Sequence, residues 1–200
     1  MKEKIIQEST QLFFRYGLRS ITMDDIAREL SVSKKTLYQH FDNKNDLLMA
    51  CMEEHDRKEK AILKTFQYSA TNAIDEMIRI AKYVEQMLKK VSPTLIYDVQ
   101  KYHREAWEKM KKMHNEDVYQ EIKTNINRGI QEGLYRNDFN IDIIAKIYVS
   151  TTLACTSPDF FPQESYNIND IVKTNILYHL HGIVSPKGMA LLELMKEELK

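Results

Sequence analysis

Residues that interrupt helices are rare in this 200-residue chain, which contains only five glycines and four prolines. Between these interruptions apolar side chains recur every three or four residues, the spacing that gives a helix one buried face. No segment alternates apolar and polar residues convincingly enough to predict a half-buried strand. With 43% hydrophobic and 29% charged residues, the chain also has the composition of a folded globular protein. The sequence therefore predicts an all-α protein.

The first forty residues predict three short helices. The first helix has one buried face and can end in a left-handed C-cap at Gly17. Thr22 and Asp25 have the spacing of a capping box, which starts a second helix of about two turns. Ser33 can accept hydrogen bonds from the free amides at the start of a third helix. The buried face of the first helix comprises Ile5, Ser9, Leu12, Phe13 and Tyr16.

The second and third helices have the spacing of a helix-turn-helix. Ala27 allows the two helices to approach closely, and Val32 fills the corner between them. Leu37 and Phe41 face the core from the third helix, the predicted recognition helix, which runs from Lys34 to His40. The outward residues of this helix carry cations, hydroxyls and an amide suited to phosphates and base edges: Lys34, Lys35, Thr36, Tyr38, Gln39 and His40.

The charge of this segment differs from that of the whole chain. The formal net charge is zero, so no overall field attracts the protein to nucleic acid. Between Ser31 and Lys44, however, three lysines stand against the single Asp42. The local excess of positive charge is compatible with DNA binding, although an ordinary helical hairpin with solvated lysines would have the same spacing.

The segment from Thr22 to Leu48 resembles the DNA-binding signature of the TetR family of bacterial transcriptional regulators. The positions that match the family pattern are Ala27, Val32, Ser33, Thr36, Leu37, Tyr38, His40, Phe41 and Lys44. One position departs, because Ser31 stands where the family usually has glycine. A left-handed conformation at this serine would cost roughly 1 kcal/mol.

The resemblance implies that the chain binds double-stranded operator DNA. Thr22 and Lys44 would contact phosphates, and residues of the third helix would contact the groove or its walls. The predicted DNA-binding set is Thr22, Ser33, Lys34, Lys35, Thr36, Tyr38, Gln39, His40 and Lys44. The family further implies a homodimer on a palindromic operator, repression as the default, and release by a small-molecule effector.

The domain prediction follows from these assignments. Residues 1–45 would form the DNA-binding domain, and residues 46–200 a helical effector-binding and dimerisation domain that begins with a connector helix at about 44–67. The periodicity predicts these further helices: Ala73 to Lys90, Thr94 to His114, Glu116 to Gln131, Ile141 to Ala154 and Ile168 to His181. A last amphipathic turn or two would pass through Leu191, Leu192 and Met195.

Two further sites in the second domain are expected from the resemblance. A pocket for an apolar or aromatic effector would be lined by aromatic residues, methionines and a histidine: Phe66, Met77, Tyr83, Tyr97, Tyr102, His103, Trp107 and Met110. The last two long helices would pair with their copies in a dimer through Ile144, Ile147, Tyr148, Thr151, Ile171, Ile176 and Leu180. For both sets the alternative is that the residues belong to the core of the chain itself.

Other classes of function lack their signatures. The chain has no GxSxG, P-loop, Rossmann glycine or HExxH motif, so we expect no catalytic residues and no cofactor. Its two cysteines form no metal-ligand pattern, and the His179-His181 pair has no expected companions, so no metal is expected. No signal peptide or membrane-spanning run is predicted, which favours a cytoplasmic protein without a membrane partner. The nearest rival is a DNA-binding architectural or division-control protein without an effector, and an enzyme is a more distant one.

Overall fold

The structure is a computed structural model that describes residues 1–157, 159–162 and 164–195. Over these residues it forms α-helices joined by short connections and contains no strand, only an isolated antiparallel bridge between Tyr135 and Val184. The all-α prediction is confirmed. The helices are α1 (Lys2–Tyr16), α2 (Met23–Glu29), α3 (Lys34–Tyr38), α4 (Lys44–Ser69), α5 (Ala73–Leu88), α6 (Pro93–Tyr102), α7 (Arg104–Gln131), α8 (Ile141–Cys155), α9 (Ile168–Ile183) and α10 (Pro186–Met195).

The ends of the first helices follow from local sequence. Gly17 ends α1 with φ 78° and ψ 167°, and its backbone N–H donates to the carbonyl of Phe13. The positive φ was expected, but ψ lies outside the left-handed helical region that the sequence predicted for this cap. Thr22 and Asp25 form the predicted capping box at the start of α2, with each residue accepting from the other's backbone N–H.

One helix boundary was predicted wrongly. The sequence predicted a break near residue 115, but α7 continues through that position, and the break lies at His103 instead. His103 has φ −129° and ψ 57°, which is not helical, and its Nδ1 lies 3.0 Å from Oδ1 of Asn45. No helix-breaking residue lies at this interruption. It is instead accompanied by the tertiary contact between His103 and Asn45. The connector helix α4 and the terminal helix α10 were both predicted, and α10 is longer than expected.

The chain divides into two compact units. Unit 1 consists of residues 1–62 and 90–112, and unit 2 consists of residues 63–89 and 113–200. Helices α4 and α7 therefore each contribute residues to both units. The predicted division into functional domains at residue 45 stays a prediction. None of the helices in the described part of the chain has the length and apolar composition needed to cross a bilayer.

Unit 1 packs α1, α2, α3, the start of α4 and the α6 region around one apolar core. Its largest fully enclosed side chains include Phe13, Ile26 and Leu37. Ile5 and Ser9 of α1 are buried as predicted, whereas Leu12 is half-buried and Tyr16 is exposed. Burial of this predominantly apolar face is what fixes the three short helices, because helices of five and seven residues are not stable alone.

Unit 2 has a separate core between α5, α7, α8, α9 and α10, with Ile74, Met77 and Ile126 fully enclosed. A buried polar network closes the turn between α4 and α5. Arg128 donates to the carbonyls of Gln67 and Ala70 and forms an ion pair with Glu76 at 3.1 Å. Burial raises the pKa of Glu76, and the Arg128 guanidinium opposes this shift.

Candidate nucleic-acid interface

The candidate interface is the surface formed by α2, the following turn and α3. Ala27 and Leu37 are buried between the helices, and Phe41 is buried directly after α3. Val32 is half-buried and packs against the same core. These residues hold α3 in place as the sequence predicted. The opposite side of α3 is therefore exposed to solvent, while the buried side fixes the position of the helix.

The turn between α2 and α3 is a Schellman motif. The backbone N–H of Ser31 donates to the carbonyl of Arg28 at 3.1 Å, and that of Val32 donates to the carbonyl of Ala27 at 2.9 Å. This motif needs a left-handed residue after the C-cap, and Ser31 takes that conformation with φ 54°. Ser31 is the only non-glycine residue with positive φ among the described residues. Ser31 therefore takes the left-handed conformation for which a cost was expected from the sequence.

Both short helices have side-chain caps at their N-termini. The Thr22 hydroxyl accepts from the backbone N–H of Asp25 at 3.1 Å, and Ser33 accepts from that of Thr36 at 3.0 Å. The hydrogen bond from Thr22 lowers the pKa of Asp25. These caps orient the first turns of α2 and α3. A phosphate contact from Thr22 or Ser33 would add to a structural role that both hydroxyls already have.

The predicted reading residues are distributed over one exposed surface. Lys34, Lys35, Tyr38 and Gln39 are exposed, and Thr36 and His40 are half-buried. The helix itself ends at Tyr38, two residues before the predicted end, and the N–H of His40 donates to the carbonyl of Leu37 in a tighter last turn. Lys34 forms an ion pair with Asp24 at 2.5 Å. Asp24 thus offsets part of the predicted positive charge.

Lys44 has a more buried position than a simple phosphate contact would require. Its ammonium donates to the carbonyl of Leu18 and lies 5.9 Å from the ring centroid of Phe13. Burial lowers the pKa of Lys44, while the carboxylates of Asp98 and Asp25 oppose that shift. The side chain joins the start of α4 to the loop that precedes α2, and its contact with phosphate stays a prediction.

One cation near this surface was missed by sequence reasoning. The ammonium of Lys2 lies 5.5 Å from the ring centroid of Phe41, which brings the start of α1 next to the end of the recognition segment. The lysines of the N-terminal sequence were visible, but they could be placed beside α3 only once the tertiary packing was known.

Residues 5–51, which contain this surface, match the family described as bacterial regulatory proteins of the tetR family. This segment is a TetR-family DNA-binding domain. The family match covers the helix-turn-helix and the start of α4. The TetR-family assignment also makes the protein a transcriptional regulator and not an enzyme.

Two relatives and one solved structure extend the TetR-family comparison. The chain is 22% identical over 186 residues to the HTH-type transcriptional regulator YvaF of Bacillus subtilis, covering 92% of this chain and 96% of that protein. It is 43% identical over 47 residues to IcaR of Staphylococcus aureus strain Newman, a negative regulator of the biofilm operon icaADBC, covering 24% of this chain and 25% of IcaR. A transcriptional regulator from Saccharomonospora viridis in complex with choline has a similar fold, with TM-score 0.64 and 16% identity, over 92% of this chain and 97% of that one.

The residues predicted to line an effector pocket are divided between the two units. Met77 is fully buried in the core of unit 2. The half-buried rings of Phe66 and Tyr83, which belong to the same unit, lie 6.0 Å apart in an edge-to-face pair. The remaining five, Tyr97, Tyr102, His103, Trp107 and Met110, belong to unit 1. Tyr97 and Tyr102 are exposed there. Three of the eight residues thus lie in unit 2 and five in unit 1, and their role in an effector pocket stays a prediction.

The residues predicted for the dimer interface fall on both faces of α8 and α9. Tyr148, Ile176 and Leu180 are buried in the core of unit 2, which is the alternative that the sequence left open. Ile144, Thr151 and Ile171 are half-buried, whereas Ile147 is exposed. Two further exposed large residues of these helices, Ile143 on α8 and Tyr178 on α9, were not in the predicted set. Within the described part of the chain, no group of three or more His, Cys, Asp and Glu residues is placed to hold a metal ion.

Proposed function

We propose that the protein is a repressor that binds a palindromic operator through α3. The observation that carries the proposal is the exposed surface of α3 on a scaffold fixed by two side-chain caps and by the buried Leu37 and Phe41. Lys35 and Tyr38 project from this surface as a cation and an aromatic hydroxyl. The name of IcaR, whose similar segment belongs to a negative regulator, supports repression. The proposed place of action is the bacterial cytoplasm.

The test removes Lys35 and Tyr38 together. Sequences are first selected from a random duplex pool by the wild-type protein, and affinity for the best palindrome is then measured for a Lys35→Ala/Tyr38→Ala variant. Loss of these contacts is expected to cost about 1–3 kcal/mol, roughly 5- to 150-fold in affinity. A matched control, Lys111→Ala/Tyr68→Ala, removes the same residue types away from the helix-turn-helix. Equal affinity of a folded double variant and the control would refute the proposal.

We further propose that two copies associate through the exposed sides of α8 and α9. Ile143, Ile147 and Tyr178 are 54%, 51% and 77% exposed although they are large and apolar. Gly182 on α9 has open space around the position of a Cβ atom, which would allow a partner helix to approach. A twofold dimer would match an operator whose half-sites lie about 34–36 Å apart or a multiple of that distance.

Sedimentation of an Ile147→Glu variant tests the dimer. A charge at a buried apolar interface should shift the protein toward monomer, and the fraction of monomer is read at micromolar concentration. Leu194→Glu on α10 is the control, because Leu194 is also a large apolar residue and is 76% exposed. A wild-type protein that sediments as a monomer would contradict the dimer, as would an Ile147→Glu variant that remains fully dimeric.

Release by a small apolar or aromatic effector is the third part of the proposal. Phe66 and Tyr83 form a ring pair in unit 2, the unit whose core contains Met77. The regulator of similar fold from Saccharomonospora viridis is in complex with choline, which supports the binding of a small molecule. A ligand screen for release of the selected operator tests this. Tyr83→Ala should raise the concentration of ligand needed for release, whereas Tyr68→Ala should not.

The rival architectural function makes a different prediction for DNA. An architectural protein would show shallow sequence preference, whereas specific regulators bind their sites roughly 10³ to 10⁷ times more tightly than other DNA. Failure to enrich any palindrome in the selection would favour the rival.

A further inference from the structure

A second cationic surface lies on unit 1, outside the helix-turn-helix. We name it the α6 patch, and it consists of Arg19, Tyr97, Lys101 and Tyr102, all exposed. The guanidinium carbon of Arg19 lies 4.9 Å from the ring centroid of Tyr102, and Nη1 lies 3.4 Å from the Tyr102 hydroxyl. The ammonium of Lys101 lies 5.1 Å from the Tyr97 centroid and 5.5 Å from that of Tyr102, and it donates to the Tyr97 hydroxyl at 2.7 Å.

The cations of the α6 patch contact aromatic side chains. Within the described residues, the side-chain contacts of Arg19 and Lys101 go to tyrosines, and neither forms an ion pair with a carboxylate. The hydrogen bond with Tyr97 raises the pKa of Lys101, so this ammonium stays protonated near neutral pH. The buried Asp98 carboxylate accepts from the backbone N–H of Arg19 at 3.4 Å and is the carboxylate beside the patch.

In contrast to the cations of the α6 patch, Arg57 and Lys58 on α4 of the same unit form ion pairs with a carboxylate. Both pair with the carboxylate of Glu54, at 2.7 Å and 3.3 Å, and these cations lower the pKa of Glu54 to about 2. A cation held on an aromatic ring loses side-chain freedom without losing its charge. The α6 patch therefore presents two ordered positive charges in a chain whose net charge is zero.

The α6 patch adjoins the start of α4, where the predicted phosphate contact Lys44 lies. The ammonium of Lys44 donates to the carbonyl of Leu18, the residue before Arg19. On the other side, Nδ1 of His103, the residue after Tyr102, lies 3.0 Å from Oδ1 of Asn45. These two contacts place the α6 patch next to the start of α4, where Lys44 lies.

We infer that the α6 patch binds phosphates of the same duplex that α3 reads, so that the DNA footprint includes α6. The inference rests on the proposed function. Double-stranded DNA carries one negative charge per roughly 1.7 Å of its axis. Two ordered cations that form no ion pair and lie near Lys44 therefore favour DNA as the ligand of the α6 patch. Phosphate contacts fix the position of a protein on the duplex but carry no sequence information. The α6 patch should therefore contribute affinity and salt dependence without contributing specificity.

The test compares an Arg19→Ala/Lys101→Ala variant with an Arg57→Ala/Lys58→Ala control. Both remove one arginine and one lysine from unit 1, but Arg57 lies thirteen residues beyond Lys44, about 20 Å along α4. Dissociation constants are measured between about 50 and 200 mM salt on two duplexes of equal length, one with the selected palindrome and one of mixed sequence. An Arg19→Gln/Lys101→Gln variant, which keeps polar side chains at both positions, repeats the test if the alanine variant does not fold.

The plot of log affinity against log salt should become less steep by about 0.9 for each lost phosphate contact, or about 1.8 per protomer. For the Arg19→Ala/Lys101→Ala variant, the affinity per bound protomer should fall by the same factor on the mixed duplex as on the palindrome. The Arg57→Ala/Lys58→Ala control should keep the wild-type slope. A wild-type slope for the Arg19 and Lys101 variants would overturn the inference, and so would weakening confined to the palindrome. Absence of any preference for a palindrome would refute the proposed function instead, and a changed slope on mixed DNA would still support phosphate binding by the α6 patch.

Discussion

Replacing Ser31 with glycine is expected to stabilise the protein, because Ser31 is left-handed with φ 54° in the turn between α2 and α3. The Cβ atom of a non-glycine residue costs about 1–2 kcal/mol in this conformation. Glycine also increases the entropy of the unfolded chain, which opposes the gain by about 0.4–1 kcal/mol. The net expected gain is about 0.5–1 kcal/mol, or roughly 1–4 °C in melting temperature for a chain of this length.

Denaturation in urea measures this gain. The midpoint should rise with an unchanged dependence on urea concentration, since the surface exposed on unfolding is the same. Ser31→Ala is the control, because alanine keeps the Cβ atom and should leave the midpoint near that of the wild type. A lower or unchanged midpoint for Ser31→Gly, or an equal rise for Ser31→Ala, would show that strain at the Cβ atom is not the cause.

Three other substitutions are expected to change stability in a measurable way. Thr22→Ala removes the α2 cap and should cost about 1 kcal/mol in urea denaturation, whereas Thr22→Ser should restore it. Burial lowers the pKa of His179 to about 4, and its Nε2 has no hydrogen-bond partner among the described residues, so protonation favours the unfolded chain. Neutral His179 therefore contributes about 3 kcal/mol to the free energy of unfolding, fully above pH 6.5 and progressively less as the pH falls toward 4. A His179→Phe variant should show a weaker pH dependence of stability over this range. Arg128→Met leaves the buried Glu76 unpaired and should cost about 3 kcal/mol, most of which a second change, Glu76→Met, should recover.

Each of these three predictions has a result that contradicts it. A Thr22→Ser variant as unstable as Thr22→Ala would remove the cap as the explanation. A His179→Phe variant that loses stability between pH 6.5 and 4 as steeply as the wild type would place the responsible proton elsewhere. If the Glu76→Met change gave no recovery, the loss in Arg128→Met would come from the other partners of Arg128, which are the carbonyls of Gln67 and Ala70 and the carboxylate of Glu132.

The sequence by itself determined the structure of the helix-turn-helix. The capping box at Thr22, the N-cap at Ser33 and the left-handed Ser31 could all be predicted, because each depends on backbone groups within a few residues. The inward direction of Leu37 and Phe41 was predictable for the same reason, since helical spacing fixes which side chains share a face. The match to the TetR-family pattern depends on this same local segment.

Only the tertiary structure decided which long-range neighbours these elements have. The break at His103 has no local signal and accompanies a contact with Asn45, 58 residues away. The apolar residues of α8 and α9 occupy both faces, so periodicity could not separate the buried Tyr148 from the exposed Ile147. Arg19 and Tyr102 are 83 residues apart in the chain. Local geometry limits which helices form, but packing of distant residues determines which side chains are buried and which remain available to a partner.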